Sequence, residues 1–78
     1  MPFTKEEREY LKLLGNNIVK IRKERGIKQK ELSDILDIKD GSLSRIESGH
    51  TNPTTMTLYG IAIALKIELK DLFSFEND

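Results

Sequence analysis

The sequence predicts an all-α fold, five short helices around a single core. Three observations lead there. Apolar residues recur at helical spacing in two stretches, Leu11-Leu14-Ile18-Ile21 and Leu58-Ile61-Ala62-Leu65. No stretch alternates apolar and polar residues as a half-buried strand must. Helix stop and start signals, among them Gly26, Gly49 and Pro53, stand between the periodic stretches. The 78 residues give one domain over 1–78, with no room for a second core. A chain of this size buries only about 60% of its unfolded surface, so further burial through dimerisation would help it.

Helix 1 opens at a capping box, Thr4-Lys5-Glu6-Glu7, in which Thr4 accepts from the Glu7 amide and Glu7 reaches back. Leu11, Leu14, Ile18 and Ile21 then mark one face of a long helix. Gly15-Asn16 is a place for a bend, and Gly26 ends the helix behind Lys23 and Arg25. Helix 2 runs from about Gln29 to Leu36 with Leu32, Ile35 and Leu36 inward, and Asp37-Ile38-Lys39 is a turn. Helix 3 runs from about Asp40 to Ser48, carries Leu43 and Ile46 as its apolar pair and stops at Gly49. After the loop His50-Thr51-Asn52-Pro53, Thr54 or Thr55 caps helix 4, whose core stripe is Leu58, Ile61, Ala62 and Leu65. Met56, Tyr59 and Ile63 form a second stripe, and a helix apolar on two faces is buried on two sides. Lys66-Ile67-Glu68 turns the chain into a last short helix ending in Leu72 and Phe73, followed by the tail Ser74–Asp78.

Composition removes several function classes. Without cysteine there is no disulfide, thiolate zinc site or cysteine nucleophile, and the single histidine, His50, has no partner for a metal site or a triad. No enzyme, metal or cofactor is expected: paired carboxylates, a phosphate-cradling glycine loop and a nucleophile–base pair are all missing. The longest apolar run, Ile61–Leu65, is too short to span a membrane, and the N-terminus has no apolar signal core. A cytoplasmic protein is therefore expected. The zero net charge hides a split, because residues 1–30 carry nine Lys/Arg and four Asp/Glu whereas residues 31–78 carry four and nine. The basic stretch Lys20–Lys30 supplies most of the first excess; its plainest reading is a solvated helix end and loop.

Two short helices joined by a three-residue turn suggest a helix-turn-helix, whose second helix lies in the DNA major groove. Any small bundle contains such a pair, so the residues must decide. The words "LGNNIVKIRKERGIKQKELSDIL", "SLSRIESGHTNP" and "IAIALKIELKDLF" stand here in order from Leu14 to Phe73. In them the chain resembles the Cro/CI-type, or XRE, family of transcriptional regulators. The resemblance implies a lambda-repressor-like domain with an extended first helix. Residues 1–13 form an N-terminal helical extension, 29–48 the helix-turn-helix and 54–73 helices 4 and 5. Two positions depart from the family pattern: Asp37 stands where glycine is usual, and Lys28 where Ser or Thr usually precedes the helix 2 glutamine.

The resemblance also assigns roles. Arg22 and Glu47 match a pair that bridges helices 1 and 3, which is a structural role. Gln29 matches a glutamine that grips a phosphate at the start of helix 2, where anions are favoured in any case; Lys28 beside it could touch the same group. Ser48, His50, Thr51 and Asn52 match the loop that contacts the sugar-phosphate backbone, work that suits short polar side chains. On helix 3, turning about 100° per residue, Leu43, Ile46 and Glu47 share one side while Gly41, Arg45 and Ser48 point the other way, flanked by Ser42 and Ser44. Arg45 is the main candidate for a base contact, since arginine binds guanine O6 and N7 with two parallel hydrogen bonds. Ser44, Ser42 and Asp40 are secondary readers, with Asp40 able to accept from a cytosine amine or simply to serve the helix start. Lys39 could reach a base or a phosphate.

Gly41 is the odd residue in this set, because glycine inside a helix costs about 1 kcal/mol against alanine. Helical side chains lean toward the N-terminus, so Arg45 is expected over position 41. A missing side chain would then clear its lane, or let the backbone approach the bases.

The expected function is sequence-specific binding of double-stranded DNA and transcriptional regulation, by a homodimer on a roughly palindromic operator. The family's stand-alone members include phage-type repressors, restriction-modification controllers and antitoxin-like regulators, so a bacterial or phage-type, nucleoid-associated protein is implied. Met56, Tyr59, Ile63, Phe73 and Phe75 are the candidate self-association surface, with a core role for Met56 and Tyr59 as the competing reading. The alternative function is a protein-interaction module, an antitoxin or scaffold that uses the same fold to hold a protein partner such as a toxin.

Overall fold

A computed structural model describes residues 2–75. Helix α1 spans Lys5–Glu24, α2 Gln29–Leu36, α3 Asp40–Glu47 and α4 Thr55–Leu65, and a 3₁₀ helix follows at Leu69–Phe73. The end of the tail, residues 76–78, lies outside the described residues. Among those residues there is no strand, so the all-α class holds, with four α-helices in place of the expected five.

The last element is 3₁₀ for a local reason. Only five residues separate the Glu68 start from Ser74, leaving little room for i→i+4 bonds. Its end is closed instead by a distant side chain. The Asn17 amide donates to the carbonyls of Asp71 (3.1 Å) and Leu72 (2.8 Å), satisfying groups that a longer helix would have satisfied itself.

The capping box that opens α1 forms as expected: the Glu7 amide donates to Thr4 Oγ1 at 3.1 Å and the Thr4 amide to Glu7 Oε1 at 2.8 Å. Behind it α1 runs unbroken through Gly15-Asn16. The expected bend is therefore corrected, and Gly15 has another reason to be there. A Cβ on it would stand 2.5 Å from the Glu47 carbonyl oxygen and 2.6 Å from that of Ile46. Glycine lets α1 lie directly on the end of α3. Gly49 repeats the arrangement from the other side, with φ +79° and an ideal Cβ 2.7 Å from Lys12 Cα.

Leu14, Ile18, Leu32, Leu43, Ile46, Leu58, Ile61, Ala62, Leu65 and Leu72 make the core. The α4 stripe is as expected, and Thr54 is its cap, accepting from the Thr57 amide at 3.1 Å. Helix α2 needs a correction: Ile35 is 55% exposed, while Ser33 is fully buried. Leu32, Leu36 and Ser33 face α3 and α4, and an arc centred on them leaves Ile35 on the edge. Burial on two sides fails for α4 as well, since Met56 (71%), Tyr59 and Ile63 are exposed. The core role for Met56 and Tyr59 is thereby excluded.

Candidate nucleic-acid interface

Helix α3 is held by its inner side. Leu43 and Ile46 enter the core, and Glu47 is buried with Arg22 beneath the same end. Arg22 Nε donates to Glu47 Oε2 at 2.7 Å and Nη2 to Oε1 at 3.2 Å, a fork that fixes direction as well as distance. The third guanidinium nitrogen, Nη1, donates to the Ile27 carbonyl at 2.9 Å, tying in the α1–α2 loop. Gln29 Nε2 completes the group by donating to Glu47 Oε1 at 2.9 Å. Every buried side-chain polar atom among the described residues has a partner. A buried pair satisfied in this way fixes the position of α3, and removal of one member costs about 3–5 kcal/mol.

The turn between α2 and α3 is set by Asp37, whose φ of 56° is left-handed. Aspartate tolerates that region better than most residues, so the usual glycine is replaced at some strain and without loss of the turn. At the start of α3 the Ser33 hydroxyl sits between the Lys30 carbonyl (2.9 Å) and the Asp40 carboxylate. Asp40 is therefore anchored to α2 through Oδ1, and Oδ2 is the oxygen left for another donor.

Lys39, Asp40, Gly41, Ser42, Ser44 and Arg45 are all exposed on the outer side of α3. The structure places these residues on one exposed surface. Ser42 and Arg45 also share a shallow depression of about 240 Å³ with Thr51, Asn52, Pro53 and Thr54, which joins the expected base-reading and backbone-contacting groups into one surface. Lys28, Ser48, His50 and Asn52 are exposed too, and Thr51 is half-buried.

Two details differ from expectation. Arg45 does not lie over position 41: its Nη2 donates to the His50 carbonyl at 3.1 Å, toward the C-terminal end of α3. That carbonyl lies just past the C-terminus of α3, the negative end of the helix dipole, which favours a cation. Ser48 Oγ lies 2.7 Å from His50 Nδ1, so Arg45, Ser48 and His50 form one hydrogen-bonded knot in the free protein. Gly41 has open space, with nothing within 4 Å of an added Cβ. Gln29, expected on a phosphate, has its side-chain amide engaged with Glu47, which leaves its backbone N–H at the α2 N-terminus for an anion.

Of the self-association candidates, Phe73 is 38% exposed, whereas Phe75 packs on the core and meets Tyr10 edge-to-face at 5.3 Å. Phe75 is thus half-buried in the chain's own packing. Ile35, expected inward on α2, is exposed instead. With Leu36, Ile38, Met56, Gly60, Ile63 and Ala64 it lines an apolar groove between α2 and α4. Asn17 and Ser33 were missed as well, because neither has a sequence signal: each acts on a group supplied by another element.

Comparison with known proteins agrees with this geometry. The family model for helix-turn-helix domains (HTH_3) matches residues 18–72. Over 61 residues, covering 78% of this chain and 79% of the relative, the sequence is 38% identical to the HTH-type transcriptional regulator y4dJ of Sinorhizobium fredii. Over another 61-residue match it is 41% identical to the ImmF control region 10 kDa protein of Bacillus phage phi105, covering 78% of this chain and 68% of that one. Among solved structures, the restriction-modification controller protein C.AhdI of Aeromonas hydrophila superposes with a TM-score of 0.78 at 25% identity, over 81% of this chain and 96% of that one. These relatives are regulators and not enzymes, and no helix among the described residues is long and apolar enough to cross a membrane. The chain belongs to the HTH_3, or XRE-type, helix-turn-helix family of transcriptional regulators.

Proposed function

We propose that this protein regulates transcription as a homodimer that binds a roughly palindromic double-stranded operator, with Arg45 as the principal base reader in each half-site. One observation carries the reading: a strip of small polar residues and one arginine lies along the outside of α3, while the buried Arg22–Glu47–Gln29 group holds that helix from behind. Ser42, Ser44 and the free oxygen of Asp40 read secondarily. Lys39, Lys28, the Gln29 amide and the loop Ser48–Asn52 hold phosphates. Exchange of the exposed Arg45–His50 bond for a guanine edge costs little, since a neutral acceptor is replaced by two.

A single α3 reads only a few base pairs, so two copies must place their helices about 34 Å apart, in successive major grooves. The apolar surface formed by Ile35, Met56, Tyr59, Ile63 and Phe73 supports self-association. The same surface favours the second reading, in which it holds a protein partner. In vitro selection from random duplexes, paired with sedimentation of the free protein, separates them. Enrichment of a two-fold symmetric motif by a dimer, lost on Ile63→Lys, is the expected result. A monomer that enriches no motif overturns the regulator reading in favour of the interaction module.

A further inference from the structure

A hollow of about 490 Å³ opens between α1 and the residues that follow the 3₁₀ helix, lined by Leu13, Asn16, Asn17, Lys20, Ser74 and Phe75. We propose that it binds a small, singly charged carboxylate that carries a hydroxyl group and an apolar body. Such a site is independent of DNA binding.

Leu13, Asn16, Asn17 and Lys20 stand at i, i+3, i+4 and i+7, so one face of α1 supplies most of the lining. At about 100° per residue, that face is centred roughly 150° round the helix from Gly15, which lies against the end of α3. A ligand there has α1 between itself and α3. Every lining residue except Lys20 also falls outside the span 18–72 that the family model matches. The DNA-reading face therefore does not account for the hollow.

Its groups define the ligand. Asn17 is 8% exposed, and its side-chain amide donates to the carbonyls of both Asp71 and Leu72, which fixes the amide's orientation. Its Oδ1 accepts no hydrogen bond among the described residues. Every fully buried polar atom there has a partner, so Oδ1 reaches the surface, and the surface that Asn17 lines is the hollow. A fixed amide oxygen only accepts, and so calls for an O–H or N–H on the ligand. Lys20 is exposed and forms no ion pair among the described residues. As the single charged residue of the lining, it matches one negative charge better than the nearly double charge of a phosphate. Beside that cation, the donor to Oδ1 is better a neutral hydroxyl than an ammonium. Leu13 and the Phe75 ring give the apolar wall, and Tyr10 meets that ring edge-to-face at 5.3 Å. The volume lies within the roughly 300–1,000 Å³ of small-molecule sites.

Titration of the isotope-labelled full chain with para-hydroxybenzoate and with phenyllactate, followed by NMR, tests the site. Saturable shifts of the Asn17 side-chain amide, the Leu13 methyls and the Phe75 ring are expected with one or both probes. Benzoate, which lacks the hydroxyl, should bind about two- to tenfold more weakly than para-hydroxybenzoate. Lys20→Gln should weaken the probe that binds by about two- to fivefold, as for an exposed ion pair, with its fold checked by circular dichroism. Lys23→Gln, an exposed cation outside the hollow, should leave affinity unchanged. The proposed site is overturned if neither probe gives saturable shifts there, or if inorganic phosphate gives the same ones. Wild-type affinity in Lys20→Gln, an equal loss in Lys23→Gln, or benzoate binding as tightly as para-hydroxybenzoate would overturn it too.

Discussion

The two halves of this small domain are held by different physics. Around α3 the fixing contacts are polar and directional: the Arg22–Glu47 fork, the Gln29 amide and the Ser33–Asp40 bond. Around α4 they are apolar: Leu58, Ile61, Ala62 and Leu65 belong to one core with Leu72, with no side-chain ion pair to α4 among the described residues. Burial is non-directional and sets stability more than orientation. A hydrogen-bonded fork adds geometry to its energy. The half that must present a helix at a fixed angle has the directional contacts. The half with the apolar contacts has the exposed face suited to association.

The comparison breaks most visibly at the two anchors. Glu47→Ala leaves Arg22 charged and buried, so unfolding free energy should fall by about 3–5 kcal/mol in urea denaturation. Leu65→Ala removes a fully buried side chain and should cost about 2–5 kcal/mol. The two differ in DNA binding once corrected for the folded fraction. Glu47→Ala should weaken it further, because α3 is no longer oriented, whereas Leu65→Ala should not. Equal corrected affinities would show that the polar group contributes stability alone.

On the outer side of α3 the effect moves from folding to recognition. Arg45→Ala should leave stability within about 0.5 kcal/mol, as for an exposed residue. It should cost about 1–3 kcal/mol on the selected operator and relax base preference at one position per half-site. Uniform weakening on all sequences would instead make Arg45 a phosphate contact, which its posture toward the loop in the free protein also permits.

What was legible in the sequence follows the same division. The α4 stripe, the Thr4 and Thr54 caps and the Gly26 stop depend on residues a few positions apart, and local periodicity reveals them. The Arg22–Glu47 pair, 25 residues apart, was legible only through family resemblance. Asn17 was not legible, because its partners are carbonyls 54 and 55 residues away, and a carbonyl leaves no mark on the sequence. Ser33 and Ile35 were exchanged for a related reason. Hydrophobicity alone puts isoleucine inside, yet the α2 arc that meets α3 and α4 passes through Ser33, whose buried hydroxyl is satisfied by Lys30 and Asp40. The contact of Phe75 with Tyr10, 65 positions earlier, leaves no local pattern either.

Smaller effects test the fine geometry of the turn. Asp37 holds a left-handed φ of 56° that glycine adopts without strain. Asp37→Gly should therefore raise stability, by about 0.5–1 kcal/mol after the entropy of the added glycine is subtracted, in thermal denaturation. A decrease would mean that the Asp37 carboxylate makes a contribution to the turn larger than its strain.

Gly41 gives the smallest change in stability and the sharpest question about recognition. Its φ is not left-handed and an added Cβ meets nothing, so no feature of the free protein calls for glycine. Arg45 runs to His50, which removes the lane over position 41 as an explanation. What remains is the approach of α3 to DNA, where a Cβ on the second residue of the helix would stand between backbone and base edges. Gly41→Ala should then raise stability by a few tenths of a kcal/mol, part of the interior propensity difference of about 1 kcal/mol, while weakening or altering operator binding. Higher stability with unchanged operator affinity would place the backbone at 41 away from the groove floor, and would leave the reading to the residues around it.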